Sequence, residues 1–120
     1  MPEYAVLIYA NDSLHAPSAT KEELKECDEH FDSLVATERM RIAYALTPRE
    51  HARTIRTAGT AVGPYAADGD VVAGFYILHA TDIDEALEMA SKDPSILTGG
   101  GVEIRPVHSG GVIFGRGTTD

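Results

Sequence analysis

The pattern of apolar and polar residues predicts an alternation of strands and helices, and its most informative part is residues 71–80, VVAGFYILHA. This run is apolar at both odd and even positions. A strand that is apolar on both faces is normally covered on both sides, so we predict that it is the central strand of a sheet. Gly74 interrupts the run and predicts either a bulge or the close approach of another backbone.

The other elements are predicted by their own patterns. The predicted strands are residues 4–10, 40–46, 51–57 and 102–107. A first helix runs from about Lys21 to Glu38, and Thr20 and Glu23 form a capping box at its start. Its apolar stripe consists of Leu24, Cys27, Phe31, Leu34 and Val35. A second helix is capped by Asp82, and Pro94 prevents its extension.

The predicted order is β-α-β-β-β-α-β. Pairing residues 40–46 with residues 51–57 as a hairpin gives an α+β fold of the ferredoxin-like, split βαβ class. Two helices cover only one face of such a sheet, so we expect a second copy to bury the other face in a two-fold homodimer of the dimeric α/β-barrel type. The domain is predicted over residues 1–108. Residues 109–120 form a Gly-rich tail, in which Val112–Phe114 adds a further strand or reaches the other subunit.

Composition and charge narrow the range of functions. The chain has 120 residues, enough for one domain, with 19 acidic and 10 basic residues and a formal net charge of -9. This balance argues against nucleic acids and anionic membrane surfaces as partners. The single cysteine, Cys27, cannot form an internal disulfide, and the apolar N-terminal run is too short for a signal peptide or a membrane span. We therefore expect a cytoplasmic location.

Three motifs at matching spacings resemble those of the YCII-related proteins, in particular the DGPF branch. They are Val62-Gly63-Pro64-Tyr65 followed by Gly74-Phe75-Tyr76, the helix start DIDEAL at residues 82–87, and the strand GGVEIRPV at residues 100–107. The chain departs from that branch at Val62, where the branch has Asp, and at residues 67–70, ADGD in place of a charged Glu-Thr-Lys-Glu stretch. The resemblance implies a ferredoxin-like homodimer with a cleft beside the sheet and an enzymatic role for a His/Asp pair. Some members lie beside sigma factors in bacterial genomes, which implies a regulatory connection.

His30 and Asp93 are the candidate catalytic residues. His30 would act as the proton carrier and Asp93 would orient it. The candidate ligand-binding residues are Tyr9, Tyr65, Tyr76 and His79. Each also has a structural interpretation: a half-exposed helix histidine for His30, a turn for Asp93, packing for the tyrosines, and a strand-end histidine for His79.

The leading functional hypothesis is cofactor-independent acid–base chemistry, or simple binding, on a small molecule in the cleft between sheet and helices. No metal is expected, because the histidines lack ligand spacing and the chain has no Cys/His cluster. The alternative is a non-catalytic regulatory or interaction module, linked to sigma-factor regulation and favoured by the missing Asp at Val62. Haem binding carries less weight, since no histidine is clearly placed as an axial ligand.

Overall fold

The computed structural model describes residues 1–13 and 20–112, and within them it contains six strands and three α-helices. The strands are β1 (Glu3–Ala10), β2 (Met40–Ala45), β3 (Arg53–Arg56), β4 (Gly59–Val62), β5 (Val71–His79) and β6 (Gly101–Pro106). The helices are α1 (Lys21–Ala36), α2 (Ile83–Ala90) and α3 (Pro94–Leu97), and a 3₁₀ turn spans Arg49–His51.

Four of the strands form one antiparallel sheet in the order β2-β5-β1-β6. β5 lies between β2 and β1, which confirms that the apolar run is an interior strand. The structure is α+β, and an antiparallel sheet with this strand order is compatible with a ferredoxin-like fold. None of the described helices combines the length and apolar character needed to cross a bilayer.

The hydrophobic core lies between the helices and one face of the sheet. Val6 of β1 and Leu78 of β5 are fully buried, and Leu34 of α1 and Ala90 of α2 pack in the same cluster. Burying a side chain of the size of Leu or Val contributes about 1.5–3 kcal/mol relative to leaving it exposed. The alternate residues of β1 and β5 therefore anchor the helices to this face.

The opposite face of the sheet is largely apolar, and no element within residues 1–13 and 20–112 covers it. Leu7 pairs with Phe75 across β1 and β5, and Tyr44 of β2 pairs with Phe75 from the other side. Ile42, which pairs with Ile77, and Tyr44 are 40% and 59% exposed. The second copy expected on this face stays a prediction.

Gly74 shows both features that its position in the sequence predicted. The register between β1 and β5 shifts at this point, so that Ile8 pairs with Gly74 but Tyr9 pairs with Val72. A Cβ added to Gly74 would lie 2.8 Å from the carbonyl oxygen of Tyr44, a distance that real Cβ atoms essentially never show. Glycine is therefore required here for the approach of β2.

The helix starts follow the predicted capping residues. The Thr20 hydroxyl accepts a hydrogen bond from the Glu23 backbone N–H, and the Glu23 carboxylate accepts one from the Thr20 N–H. The Asp82 carboxylate caps α2 by accepting from the Glu85 N–H. α1 ends at Ala36, two residues before the predicted end at Glu38.

The predicted pairing of residues 40–46 with residues 51–57 is wrong. β2 pairs with β5 instead, and β3 pairs with the unpredicted β4 to form a separate two-stranded hairpin. Only Thr54 is buried in that hairpin, so its side-chain pattern hardly specifies a partner strand. The Arg49 guanidinium donates to the carbonyl oxygens of Ala67 and Gly69. These bonds hold the chain that follows β2 against the loop that precedes β5.

Two further predictions concern the ends of the last elements. Pro94 does not merely end the second helix: it is the first residue of α3, a position where its fixed φ and missing N–H are tolerated. Val112 is exposed and lies in no strand. The other residues of the proposed Val112–Phe114 strand lie outside the described part of the chain.

Candidate active site between the first helix and the sheet

A cavity of about 330 Å³ lies between α1, strands β2 and β5, and the start of α3. Small residues line it on the sheet side: Ala43 and Ala45 of β2, and Ala73 and Gly74 of β5. Larger side chains at the three alanine positions would take up this space. The cavity therefore exists because the sheet is built from its smallest residues where α1 crosses it.

His30 and Asp93 meet in this cavity although they are far apart in the sequence. The His30 Nε2 atom lies 3.7 Å from Asp93 Oδ2, and the two side chains are 9% and 5% exposed. This separation is longer than a direct hydrogen bond of about 3.2 Å. The two groups are thus close enough for electrostatic coupling, with the imidazole nitrogen not hydrogen-bonded to the carboxylate.

Asp93 is held in place by the helix that it begins. Its Oδ1 atom accepts hydrogen bonds from the Ser95 backbone N–H at 2.9 Å and from the Ser95 hydroxyl at 2.7 Å. These bonds cap α3 and fix the carboxylate. The second oxygen, Oδ2, is the one that lies near His30. The Asp93 side chain therefore both begins the turn expected from the sequence and lies near His30.

Two polar atoms in the cavity are buried without a hydrogen-bond partner among the described residues. They are Nε2 of His30 and the hydroxyl oxygen of Tyr76. A buried polar atom in this state costs about 1–3 kcal/mol. Such groups are rare in native proteins and call for an explanation, for example a role in catalysis. Here both atoms belong to residues that line the same cavity.

Burial also sets the protonation of the groups around the cavity. It lowers the pKa of His30, and the Asp93 carboxylate offsets part of that shift, so the imidazole is neutral at pH 7. Burial raises the pKa of Tyr76, as does Asp93 to a smaller extent, so the phenol keeps its proton. Burial, followed by nearby carboxylates, raises the pKa of Cys27 to about 11, which leaves it an unreactive thiol.

A family model, the YCII-related domain, matches residues 3–109. The chain belongs to the YCII-related domain family. A search of curated proteins found no significant match. The match includes every residue of the cavity, while the finer assignment of this YCII-related protein to the DGPF branch stays a prediction.

The YCII-related protein does not bring the other predicted tyrosines to this cavity. Tyr9 and Tyr65 line a second cavity of about 510 Å³ with Pro48 and Pro64. The Tyr9 hydroxyl donates to Glu103 at 3.1 Å. Tyr65 is 69% exposed, and the guanidinium of Arg56 lies 4.0 Å from the centre of its ring. Of the three predicted tyrosines, Tyr76 alone lines the cavity with His30 and Asp93.

His79 is placed on the uncovered face of the sheet. Its Nε2 atom lies 3.1 Å from Glu3 Oε2, its cross-strand neighbour, and both side chains are about 30% exposed. Side chains alternate between the faces of a strand, so the odd-numbered His79 points away from the even-numbered Tyr76. His79 and Tyr76 therefore lie in different surroundings in the YCII-related protein.

Several residues of the cavity were interpreted differently in the sequence. The apolar stripe of α1 was expected to be core, but only Leu34 is buried, while Leu24, Cys27 and Phe31 line the cavity. Val35 is 50% exposed. The sequence analysis also did not predict that the small residues of β2 line a cavity. The presence of two alanines in one short strand was the signal that could have indicated it. Within residues 1–13 and 20–112, no three His, Cys, Asp or Glu side chains are grouped so that they could hold a metal ion.

Proposed function

We propose that this YCII-related protein binds a small molecule in the cavity between α1 and the sheet and moves a proton on it without a cofactor. The observation that carries this proposal is the pair of buried polar atoms, His30 Nε2 and the Tyr76 hydroxyl, which lie near Asp93 and have no hydrogen-bond partner among the described residues. A neutral imidazole is a suitable general base, and a protonated phenol is a suitable hydrogen-bond donor. The two groups have complementary roles at neutral pH.

The chemistry that these groups support is proton abstraction next to a carbonyl. His30 Nε2 takes the proton, the C–H bond breaks, its electron pair forms a C=C bond to the carbonyl carbon, and the π pair of the C=O bond moves onto the oxygen. The Tyr76 O–H donates a hydrogen bond to that oxygen and stabilises its developing charge. The Asp93 carboxylate stabilises the imidazolium that has formed, and the separation of 3.7 Å shortens as the charges appear. Return of the proton to the same or a neighbouring carbon completes exchange or isomerisation.

Solvent exchange tests this proposal without knowledge of the natural substrate. A panel of small ketones, lactones and enones is incubated with the protein in D₂O, and loss of the α C–H signals is followed by proton NMR. Exchange is expected above the uncatalysed rate, and His30→Gln is expected to lower it by about 10²-fold or more. His79→Gln is the matched control, because that histidine lies on the other face of the sheet. Exchange that is unchanged in His30→Gln would refute the role of His30.

A non-catalytic regulatory module is a second candidate because of where the Val62–Tyr65 turn lies. Val62 and Tyr65 are 76% and 69% exposed, and neither lines the cavity with His30. An exposed turn of this kind supports contact with another protein. Absence of both binding and exchange for every panel compound, together with retention of a protein partner in a pull-down, would favour this candidate over the enzyme.

The homodimer is part of the same proposal. The uncovered sheet face carries Leu7, Ile42, Tyr44, Phe75 and Ile77, and a second copy is the simplest cover for so apolar a surface. Ile77→Lys is expected to convert the dimer to a monomer in light scattering. Ile55→Lys, at an 80% exposed position on the β3–β4 hairpin, is expected to leave it unchanged. A wild-type monomer at micromolar concentration would contradict the dimer.

A further inference from the structure

Among the residues that the structure describes, none with a basic side chain lines the cavity beside His30. The described residues around it include two carboxylates, Asp28 and Asp93, and no Lys or Arg. Its histidine is neutral because of burial, and its buried tyrosine keeps its proton. A negatively charged ligand would therefore lose its hydration without meeting a positive charge, and it would lie next to a buried carboxylate.

Most of the remaining lining is apolar. Leu24 and Phe31 of α1 line the space, as does Ile8 of β1. Ligand sites commonly combine such walls with a few polar groups that fix the orientation. The polar end of a ligand would thus lie at His30 and Tyr76, and its apolar body would lie against these walls.

We infer that the cavity selects an uncharged, largely apolar molecule with one hydroxyl or carbonyl group, and that it rejects carboxylates and phosphates. The inference rests on the proposed function only in using the same cavity as a ligand site. The single polar group of the ligand accepts a hydrogen bond from the Tyr76 hydroxyl and lies within reach of His30. Asp93 is the residue that sets the charge preference, through Oδ2 on the cavity side of the carboxylate.

A cationic ligand fits the same groups less well, although Asp93 would attract it. An ammonium group has only donors and leaves the Tyr76 O–H without an acceptor. One oxygen of Asp93 is already engaged by Ser95, and Asp28 is exposed, so only one buried carboxylate oxygen is left to compensate for the lost hydration of the ammonium. An oxygen on a neutral molecule accepts a hydrogen bond from the Tyr76 O–H, and it brings no charge whose hydration is lost.

Three probes of one shape test the preference in the full chain: 2-phenylethanol, phenylacetate and 2-phenylethylammonium. Binding is followed at pH 7.5 by shifts of the His30 and Tyr76 ring signals in NMR titrations. We expect the alcohol to bind about tenfold more tightly, or better, than either charged probe. Equal or tighter binding of phenylacetate or of the ammonium, or no binding of the alcohol, would overturn the inference.

Substitution of Asp93 separates its charge from its structural role. Asp93→Asn keeps an oxygen that can accept from Ser95 and cap α3, but it removes the negative charge. In this variant the disadvantage of phenylacetate relative to the alcohol is expected to shrink to about threefold. Asp84→Asn, an exposed carboxylate in α2, is the matched control and should keep the wild-type ratio. An unchanged ratio in Asp93→Asn would show that Asp93 does not set the preference.

The test of the charge preference and the exchange experiment can fail independently of each other. Selective binding of the alcohol without any proton exchange would refute the acid–base function and leave the charge preference intact. Exchange on anionic carbonyl compounds at the rate seen for neutral ones would refute the charge preference and leave the function intact.

Discussion

Removal of the Tyr76 hydroxyl should stabilise the free protein. The residue is only 4% exposed, and its hydroxyl oxygen is buried with no partner among the described residues. Tyr76→Phe removes a desolvated polar group that costs about 1–3 kcal/mol. The ring keeps its packing, and the space that the oxygen leaves joins an existing cavity. We therefore expect the free energy of unfolding to rise by about 1 kcal/mol, or the melting temperature by about 4 °C.

Urea denaturation followed by circular dichroism measures this change, with thermal unfolding as a second measurement. Tyr65→Phe is the matched control, because that side chain is 69% exposed and its hydroxyl should contribute little. The same Tyr76→Phe protein should lose affinity for 2-phenylethanol by about tenfold, since the hydroxyl that would bind the probe is gone.

A stability loss of more than about 0.5 kcal/mol in Tyr76→Phe would refute the reasoning. It would mean that the hydroxyl makes a stabilising bond in the native protein. A gain in stability without any loss of probe affinity would separate the two arguments: the hydroxyl would be a structural cost that the ligand does not use.

Two further predictions follow from the same region. Because burial lowers the pKa of His30 below its ordinary value of about 6.5, the unfolded chain binds a proton that the native chain does not. The contribution of His30 to stability is therefore complete above about pH 6.5 and is lost as the pH falls through the native pKa. The urea midpoint of unfolding should fall less between pH 7.5 and pH 5 in His30→Gln than in the wild type. The same pH dependence in both proteins would contradict the lowered pKa of His30. Gly74→Ala should destabilise the protein by about 1–3 kcal/mol in the same assay, because its methyl carbon would lie 2.8 Å from the Tyr44 carbonyl oxygen. Ala73→Gly, at the neighbouring position, is the comparison variant. If Gly74→Ala leaves the free energy of unfolding unchanged, β2 can move to accommodate the added methyl group.

Local patterns predicted most of the elements, because each signal lies within a few residues. The Thr20 and Glu23 capping box marks the start of α1, and residues 71–79 of the predicted run form an interior strand. Gly74 predicted a bulge or a close backbone approach, and the structure has both. The β3–β4 hairpin was not predicted correctly, because its exposed strands carry no apolar face that selects a partner.

The candidate site shows a similar division. His30 and Asp93 were chosen by residue type and by family resemblance, and the fold places them 3.7 Å apart. Tyr9 and Tyr65 were chosen on the same grounds, but they line another cavity. Residue type indicates the chemistry that a side chain can perform, but it does not indicate the cavity that the side chain reaches.

The amino-acid sequence by itself determined the α+β class, the family, the helix caps and the interior strand, since periodicity and short motifs encode these features locally. Only the tertiary structure decided which aromatic residues share a cavity with His30. That outcome depends on strand register and on the small residues of β2 and β5, which leave space under α1. The burial of His30 Nε2 and the Tyr76 hydroxyl without a partner among the described residues has the same origin, because burial depends on every element packed around a group.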